Sequence, residues 1–237
     1  DESGTIGGIV GYFDKPTPGG TASILSCQNH GDIKSYGIWE ETKKYGANDI
    51  AGILGKVLMA DGANDYLRIN IVDCVNGDVT MECESLAAGI MGWLGRWGGG
   101  SVSNPDKVEV YIDRCRNYAT KIDISPKYGQ SIIAGICGNR GSGSATTAST
   151  TVTNCFALYN QKGTTKYSNG HSSYLAPIAT NRGRENIVAY GNYFMDAAFS
   201  FNNDYNKAMK EMYEEVQKRG AQGIWGNTNN TQIYYYG

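Results

Sequence analysis

The chain has 237 residues, of which 41% are hydrophobic and 19% charged, and a formal net charge of −2. This is enough apolar material for one packed domain or two small ones and too little charge for charge-driven disorder. The near-neutral balance, with no basic block, leaves no electrostatic footprint for nucleic acid or an anionic membrane surface. No apolar run reaches the roughly 18 residues a membrane-spanning helix needs.

Glycine, at 32 residues, has about twice its usual share, which predicts many turns. The 17 tyrosines, with abundant Asn, Ser and Thr, resemble the composition of exported proteins. A secreted or cell-surface location is therefore expected. Because the chain starts at Asp1 rather than Met, it is expected to begin after a removed leader or inside a longer chain.

The first apolar piece is Gly8-Ile9-Val10-Gly11. The same Gly-bracketed form returns at Gly52 to Gly55, Gly89 to Gly92 and Gly135 to Gly138, preceded by Ala51, Ala88 and Ala134. Ala176-Pro177-Ile178-Ala179 is a degenerate further copy. After each comes a second motif, apolar-x-x-Cys-x-Asn: Ile24, Cys27, Asn29, then Ile71, Cys74, Asn76, then Ile112, Cys115, Asn117. Val152, Cys155, Ala157 keeps the Cys, and Ile187, Tyr190, Asn192 keeps the Asn. A third short piece follows in places, as at Asp32-Ile33-Lys34 and Asp78-Val79-Thr80.

Two motifs recurring in fixed order at a spacing of roughly 40 residues mark a repeat architecture. Each piece is short, β-branched and bounded by Gly, Asn or Asp, and so reads as a strand. Stacking equivalent strands about 4.8 Å apart gives parallel ladders. The expected fold is all-β: a right-handed parallel β-helix of about five coils. Residues 1–201 form the coils. Polar or Gly-rich stretches at Tyr36 to Asn48, Met59 to Tyr66, Leu94 to Asp106 and Arg140 to Ser149 are expected to emerge at coil corners.

The cysteines Cys27, Cys74, Cys115 and Cys155 are repeat-equivalent, so they are expected as a stacked column of buried free thiols. Disulfides between coils stay open as an alternative. Asn29, Asn76, Asn117 and Asn192 are expected to form an amide ladder. No paired Cys/His spacing suggests a metal. No catalytic residue and no cofactor is identified.

From Asn203 the periodicity changes. Tyr205, Ala208, Met209, Met212, Tyr213 and Val216 lie at helical spacing, with Asn203 as N-cap and Gly220 beyond the last turn. A helix is predicted over about 204–219 and a strand over Thr231 to Tyr236. Together, residues 202–237 would cap the open end of the solenoid within the same domain.

The order Gly-Gly-Ile-Val-Gly, Ile-x-x-Cys-x-Asn, Gly-Asp-Ile resembles the GLUG-type repeat of bacterial surface proteins, carried here by Gly7 to Gly11, Ile24 to Asn29 and Gly31 to Ile33. That resemblance covers roughly residues 7–192. It implies a β-solenoid in an extracellular, adhesin-like setting with a binding or spacer role, and it supplies no catalytic residues.

The ligand-binding candidates are Trp93, Arg96 and Trp97 in a Gly-rich stretch, with Trp39 in an earlier one. Aromatic faces beside a few polar groups suit sugar recognition. The alternative is that Trp93 and Trp97 fold back over the coil. The chain is therefore read as a binding or adhesion module rather than an enzyme, taking a glycan or a host or cell-surface protein as partner. It is expected to be monomeric, without nucleic acid and without membrane insertion. Other readings are a polysaccharide lyase or glycoside hydrolase on a β-helix scaffold, by analogy of fold, and a passive spacer.

Overall fold

The computed structural model describes residues 5–14, 20–35, 49–58, 66–95, 107–124, 132–139, 148–159, 161–163, 174–176, 178–181, 186–196, 224–227 and 232–235. Among them every regular element is a strand. No helix there is long and apolar enough to cross a membrane. The predicted helix over 204–219 lies outside the described residues.

The strands fall into five stacked sheets that the chain visits in turn and then visits again. Sheet 1 holds Thr5–Gly7, Asp49–Ala51, Leu86–Ala88, Ile132–Ala134 and Tyr174–Ala176. Sheet 2 starts with Val10–Asp14, Leu54–Leu58, Met91–Gly95, Cys137–Asn139 and Ala179–Asn181. Sheet 3 has the long strands Gly20–Leu25, Tyr66–Val72, Lys107–Asp113, Ala148–Thr153 and Asn186–Tyr190. Sheet 4 has Gln28–Asn29, Val75–Asn76, Arg116–Asn117, Phe156–Tyr159 and Tyr193–Asp196, and sheet 5 has Ile33–Lys34, Thr80–Cys83, Lys121–Ile124 and Gln161–Gly163. These pairings are all parallel, as in a parallel β-helix. At the far end of sheet 2, Ile224–Asn227 adds in parallel, and Gln232–Tyr235 then pairs with it antiparallel. The strand expected near the C-terminus is thus present, as the last strand of that sheet.

Period-two alternation sets the two faces of sheet 3. Ile24, Ile71, Ile112, Val152 and Ala189 stand in one register column, and Ala22, Ile69, Val110, Thr150 and Ile187 in the next. The apolar members of both columns line the main core, together with Ile53, Leu54, Ile90 and Ile136 from the sheet 1–sheet 2 corner and sheet 2. Each buried Ile contributes about 1.5–3 kcal/mol. A second core beneath sheet 5 joins Ile33, Met81 and Ile122 to Ile50, Ala87 and Ile133 of sheet 1. Sheet 1 is buried on its other face too, because Trp93 of sheet 2 packs over Leu86, Ala88 and Ile132.

One bend recurs between sheets 3 and 4. Ser26, Asp73, Arg114, Asn154 and Gly191 all take positive φ, between 51° and 63°. Each directly precedes a column position, so the left-handed residue swings the next side chain inward. Cys27, Cys74, Cys115 and Cys155 follow the bend, and the sheet 4 register then superposes Gln28, Val75, Arg116 and Phe156. The thiols therefore stand in single file. Cys74 Sγ donates to Ile24 O at 3.4 Å, Cys115 Sγ to Ile71 O at 3.4 Å and Cys155 Sγ to Ile112 O at 3.7 Å. All six cysteines are free thiols.

The amide file runs beside them. Asn29 Nδ2 donates to Asn76 Oδ1 at 2.8 Å, and Asn76 Nδ2 donates to Asn117 Oδ1 at 2.9 Å. Among the described residues Asn117 Nδ2 finds no partner, since the next position in the file is Ala157. Asn192 departs from the sequence expectation. Phe156 pairs with Tyr193, so Asn192 stands over Cys155 in the thiol file and Phe194 occupies the amide file. There Asn192 Oδ1 accepts from Cys155 N at 2.9 Å, and its Nδ2 donates to Val152 O at 2.8 Å. The physical reason is the bend: the left-handed residue in this pass is Gly191, which makes its successor the inward position.

The Gly-Ile-x-Gly and Cys-x-Asn motifs meet across the interior. A Cβ on Gly52 would run into Asn76 and the carbonyl of Gly89, and one on Gly89 would run into Asn117 and the carbonyl of Gly135. Glycine is required at this corner because the amide file leaves no room for a side chain.

The buried thiols set a pH limit. Hydrogen bonding to its neighbour in the file, then burial, holds the Cys74 thiol well above its usual range. For Cys115 the same causes act, led by the bond to Cys155, while burial dominates for Cys83. These pKa values are raised on folding, so the unfolded chain ionises first. The stabilisation is complete below the ordinary thiol pKa of about 8.5 and is lost above it, at about 1.4 kcal/mol per thiol per pH unit. Urea titrations on the alkaline side of pH 8.5 should therefore show falling stability. The slope should become shallower in Cys83→Ala by about one thiol's share.

Candidate functional site

Sheet 3 is built from the longest described strands, and the candidate site lies on its outer face. Its side chains are those between the core columns. Ser23, Asn70, Tyr111, Thr151 and Val188 share one row of positions. Arg68, Glu109 and Ser149 share a second, and Leu25, Val72, Asp113, Thr153 and Tyr190 a third. Leu25, Val188 and Tyr190 are exposed, and Tyr111 is half-buried at the centre.

Polar contacts fix the groups around Tyr111. The Arg68 guanidinium carbon lies 6.0 Å from the Tyr111 ring centroid, and Arg68 Nε donates to Asn70 Oδ1 at 3.1 Å. Asn70 Nδ2 reaches Ser23 Oγ at 3.4 Å. On the other side Thr153 Oγ1 lies 3.4 Å from Tyr111 Oη and donates to Asp113 Oδ1 at 2.8 Å. Tyr66 Oη donates to Glu109 Oε2 at 2.7 Å. The result is an aromatic ring set in a shallow field of guanidinium, amide and hydroxyl groups.

At the bend bordering this face, Arg114 clamps two carboxylates from neighbouring passes. Its Nε and Nη2 donate to the two oxygens of Asp73, each at 2.9 Å, and its Nη1 donates to Asp113 Oδ2. Asn154 Nδ2 adds a bond to Asp113 Oδ1 at 2.9 Å. The Arg114 guanidinium holds the Asp73 carboxyl below its usual range, and the two carboxylates hold Arg114 protonated. The outer side of sheet 5 carries a separate charge ladder, with Lys34 and Lys121 on Glu82 at 3.6 and 3.3 Å. Among the described residues, no group of three or more His, Cys, Asp or Glu side chains is placed to hold a metal.

The tryptophan candidates fare differently. Trp93 is in strand Met91–Gly95 with 3% of its surface exposed, over the outer side of sheet 1. Lys56 Nζ lies 4.1 Å from its ring centroid and 5.7 Å from that of Tyr12. Tyr12, Lys56 and Trp93 are register partners, so this stack closes over sheet 1 and the Trp93 face is not available to a sugar. Trp39, Arg96 and Trp97 lie outside the described residues. Residues 96–106 join Met91–Gly95 of sheet 2 to Lys107–Asp113 of sheet 3, and 59–65 and 140–147 make the same connection in other passes. Composition-led reading missed Arg68, Tyr111 and Thr153. Their signal was the strict alternation in Arg68-Ile69-Asn70-Ile71 and Glu109-Val110-Tyr111-Ile112.

Comparison with known protein families, with curated proteins and with solved structures finds no match to this chain.

Proposed function

We propose that the chain is an extracellular binding module of the GLUG-repeat type, a right-handed parallel β-helix of about five coils that binds glycan on the outer face of sheet 3. Residues 202–237 close its C-terminal end. The observation that carries this reading is the half-buried Tyr111 ring with Arg68, Asn70 and Ser23 along the same face, while the buried Thr153 lies against Tyr111 Oη on its other side. A sugar ring stacks on an aromatic face, and its hydroxyls exchange hydrogen bonds with guanidinium, amide and hydroxyl groups.

A polysaccharide-cleaving reading has one observation in its favour: Asp73 and Asp113 converge on Arg114. All four of their carboxylate oxygens are already engaged, and a carboxyl held below its usual range does not serve as a general acid near neutral pH. Glu109 and Asp113 lie four residues apart on one strand, roughly 13 Å, too far for a hydrolase pair. Binding is the better-supported role.

A glycan array of neutral and acidic polysaccharides tests the proposal. Binding should be seen for the wild type and should fall at least about tenfold in Tyr111→Ala, a loss of about 1.4 kcal/mol. Absence of binding across the array, or equal binding by Tyr111→Ala, overturns it.

A further inference from the structure

We propose that the glycan taken on the outer face of sheet 3 is acidic, a polymer of carboxylated sugars whose carboxylate is received by the Arg68 guanidinium. The inference rests on the glycan-binding reading of that face and adds the chemical class of its ligand.

Neighbouring cations are already engaged. Arg114, at the bend beside this face, is occupied by the carboxylates of Asp73 and Asp113. On sheet 5, Lys34 and Lys121 both sit on Glu82. Arg68 differs. Its register partner in the next pass is a carboxylate, Glu109, yet Arg68 turns along its own strand, where Nε donates to Asn70 Oδ1 at 3.1 Å. Glu109 accepts instead from Tyr66 Oη at 2.7 Å. Among the described residues no carboxylate lies within ion-pair distance of Arg68, and its two terminal nitrogens have no hydrogen-bond partner. The side chain is exposed.

The guanidinium is nonetheless held in place. Its Nε is tied to Asn70, Asn70 Nδ2 is tied to Ser23 Oγ at 3.4 Å, and the Tyr111 ring centroid lies 6.0 Å from the guanidinium carbon. A guanidinium fixed in this way offers its terminal N–H groups as a fork that fits the two oxygens of a carboxylate. The side of Arg68 away from Glu109 carries hydroxyls. Thr21 is the register partner of Arg68 and Ser23 that of Asn70, and both are exposed. Ser23 Oγ accepts from Asn70 and keeps its own proton to donate. A carboxylate borne on a sugar ring beside Tyr111 therefore meets donors on that side, whereas a neutral sugar leaves the charge of Arg68 unmatched.

Calorimetric titration of the full chain with alginate, polygalacturonate and hyaluronate, and with each polymer after its carboxyls are reduced to alcohols, tests this. Salt of about 0.15 M screens long-range attraction between exposed charges. At least one polyuronide should bind, and its reduced form should bind at least about tenfold more weakly. Arg68→Gln should abolish that preference, weakening the polyuronide about tenfold and leaving the reduced polymer unchanged. Arg68→Lys keeps the charge without the fork and should fall between the two. Lys121→Gln removes one positive charge on sheet 5 and should bind as the wild type does. Equal affinity for acidic and reduced polymers, polyuronide binding by Arg68→Gln equal to the wild type, or an equal loss in Lys121→Gln overturns the inference and leaves glycan binding itself in place. Binding confined to neutral glycans on the array does the same, while an array without any ligand overturns both readings together.

Discussion

Gly89→Ala should destabilise the protein by more than about 3 kcal/mol, a large share of the roughly 5–15 kcal/mol by which ordinary domains are stable. The added methyl would be driven into the carbonyl of Gly135 and the side chain of Asn117. Neither can move independently. The Gly135 carbonyl belongs to the next pass, and the Asn117 amide is tied to Asn76 and to Ala119 N. Gly11→Ala is the matched control. A methyl there meets only Thr5 O, at an ordinary 3.6 Å, so the change should stay within about 0.5 kcal/mol. Urea midpoints of the two variants measure the contrast. Equal midpoints would show that the corner glycines are not confined by the amide file.

Asn76→Ala should cost about 2–4 kcal/mol. Asn76 is fully buried, accepts from Asn29 and donates to Asn117. Its removal deprives the Asn29 amide nitrogen and the Asn117 amide oxygen of these partners, deep in the protein in the second case. Asn29→Ala, in the first pass, removes one bond of the file and two part-buried local bonds with Gly31 whose groups can turn to water, and should cost roughly 1 kcal/mol. Chemical denaturation of both variants checks the ordering. An Asn29→Ala penalty equal to or larger than that of Asn76→Ala would show that the file does not act as a connected chain of amides.

The repeat is legible in the sequence because each pass faces the same neighbours. The thiol file needs a compact apolar group, the amide file needs a donor and an acceptor on one side chain, and the facing corner needs glycine. Those demands leave Cys-x-Asn and Gly-Ile-x-Gly at matching places. The bend is not legible. Asp73, Asn154 and Gly191 are of types that visit positive φ, but Asp and Asn are as common in ordinary turns, while Ser26 and Arg114 adopt it under the constraint of the stack. Without the bend as a reference point, Asn192 is read two residues out of register and assigned to the amide file instead of the thiol file.

The candidate site was obscured for a related reason. A Trp between glycines reads as part of a loop, but Trp93 follows Lys56 and Tyr12 in register and covers the second buried face of sheet 1. Nothing in the local sequence signals that sheet 1 is buried on both faces, since Leu86-Ala87-Ala88 could equally be one-sided. Tyr111 is not legible as a site residue from the sequence because its neighbours on the sheet come from other passes, tens of residues away in the chain. Only the register brings Arg68 and Thr153 beside it.

Superposition of consecutive passes is the claim on which all of this rests, and methyl NOE spectroscopy on isoleucine-labelled protein addresses it most directly. Ile24, Ile71 and Ile112 occupy one column in that order. Strong cross-peaks should join the methyls of Ile71 to those of both Ile24 and Ile112, and be weak or missing between Ile24 and Ile112. Cross-peaks linking Ile24 to Ile112 without either to Ile71, or no contacts among the three, would contradict the stacked register.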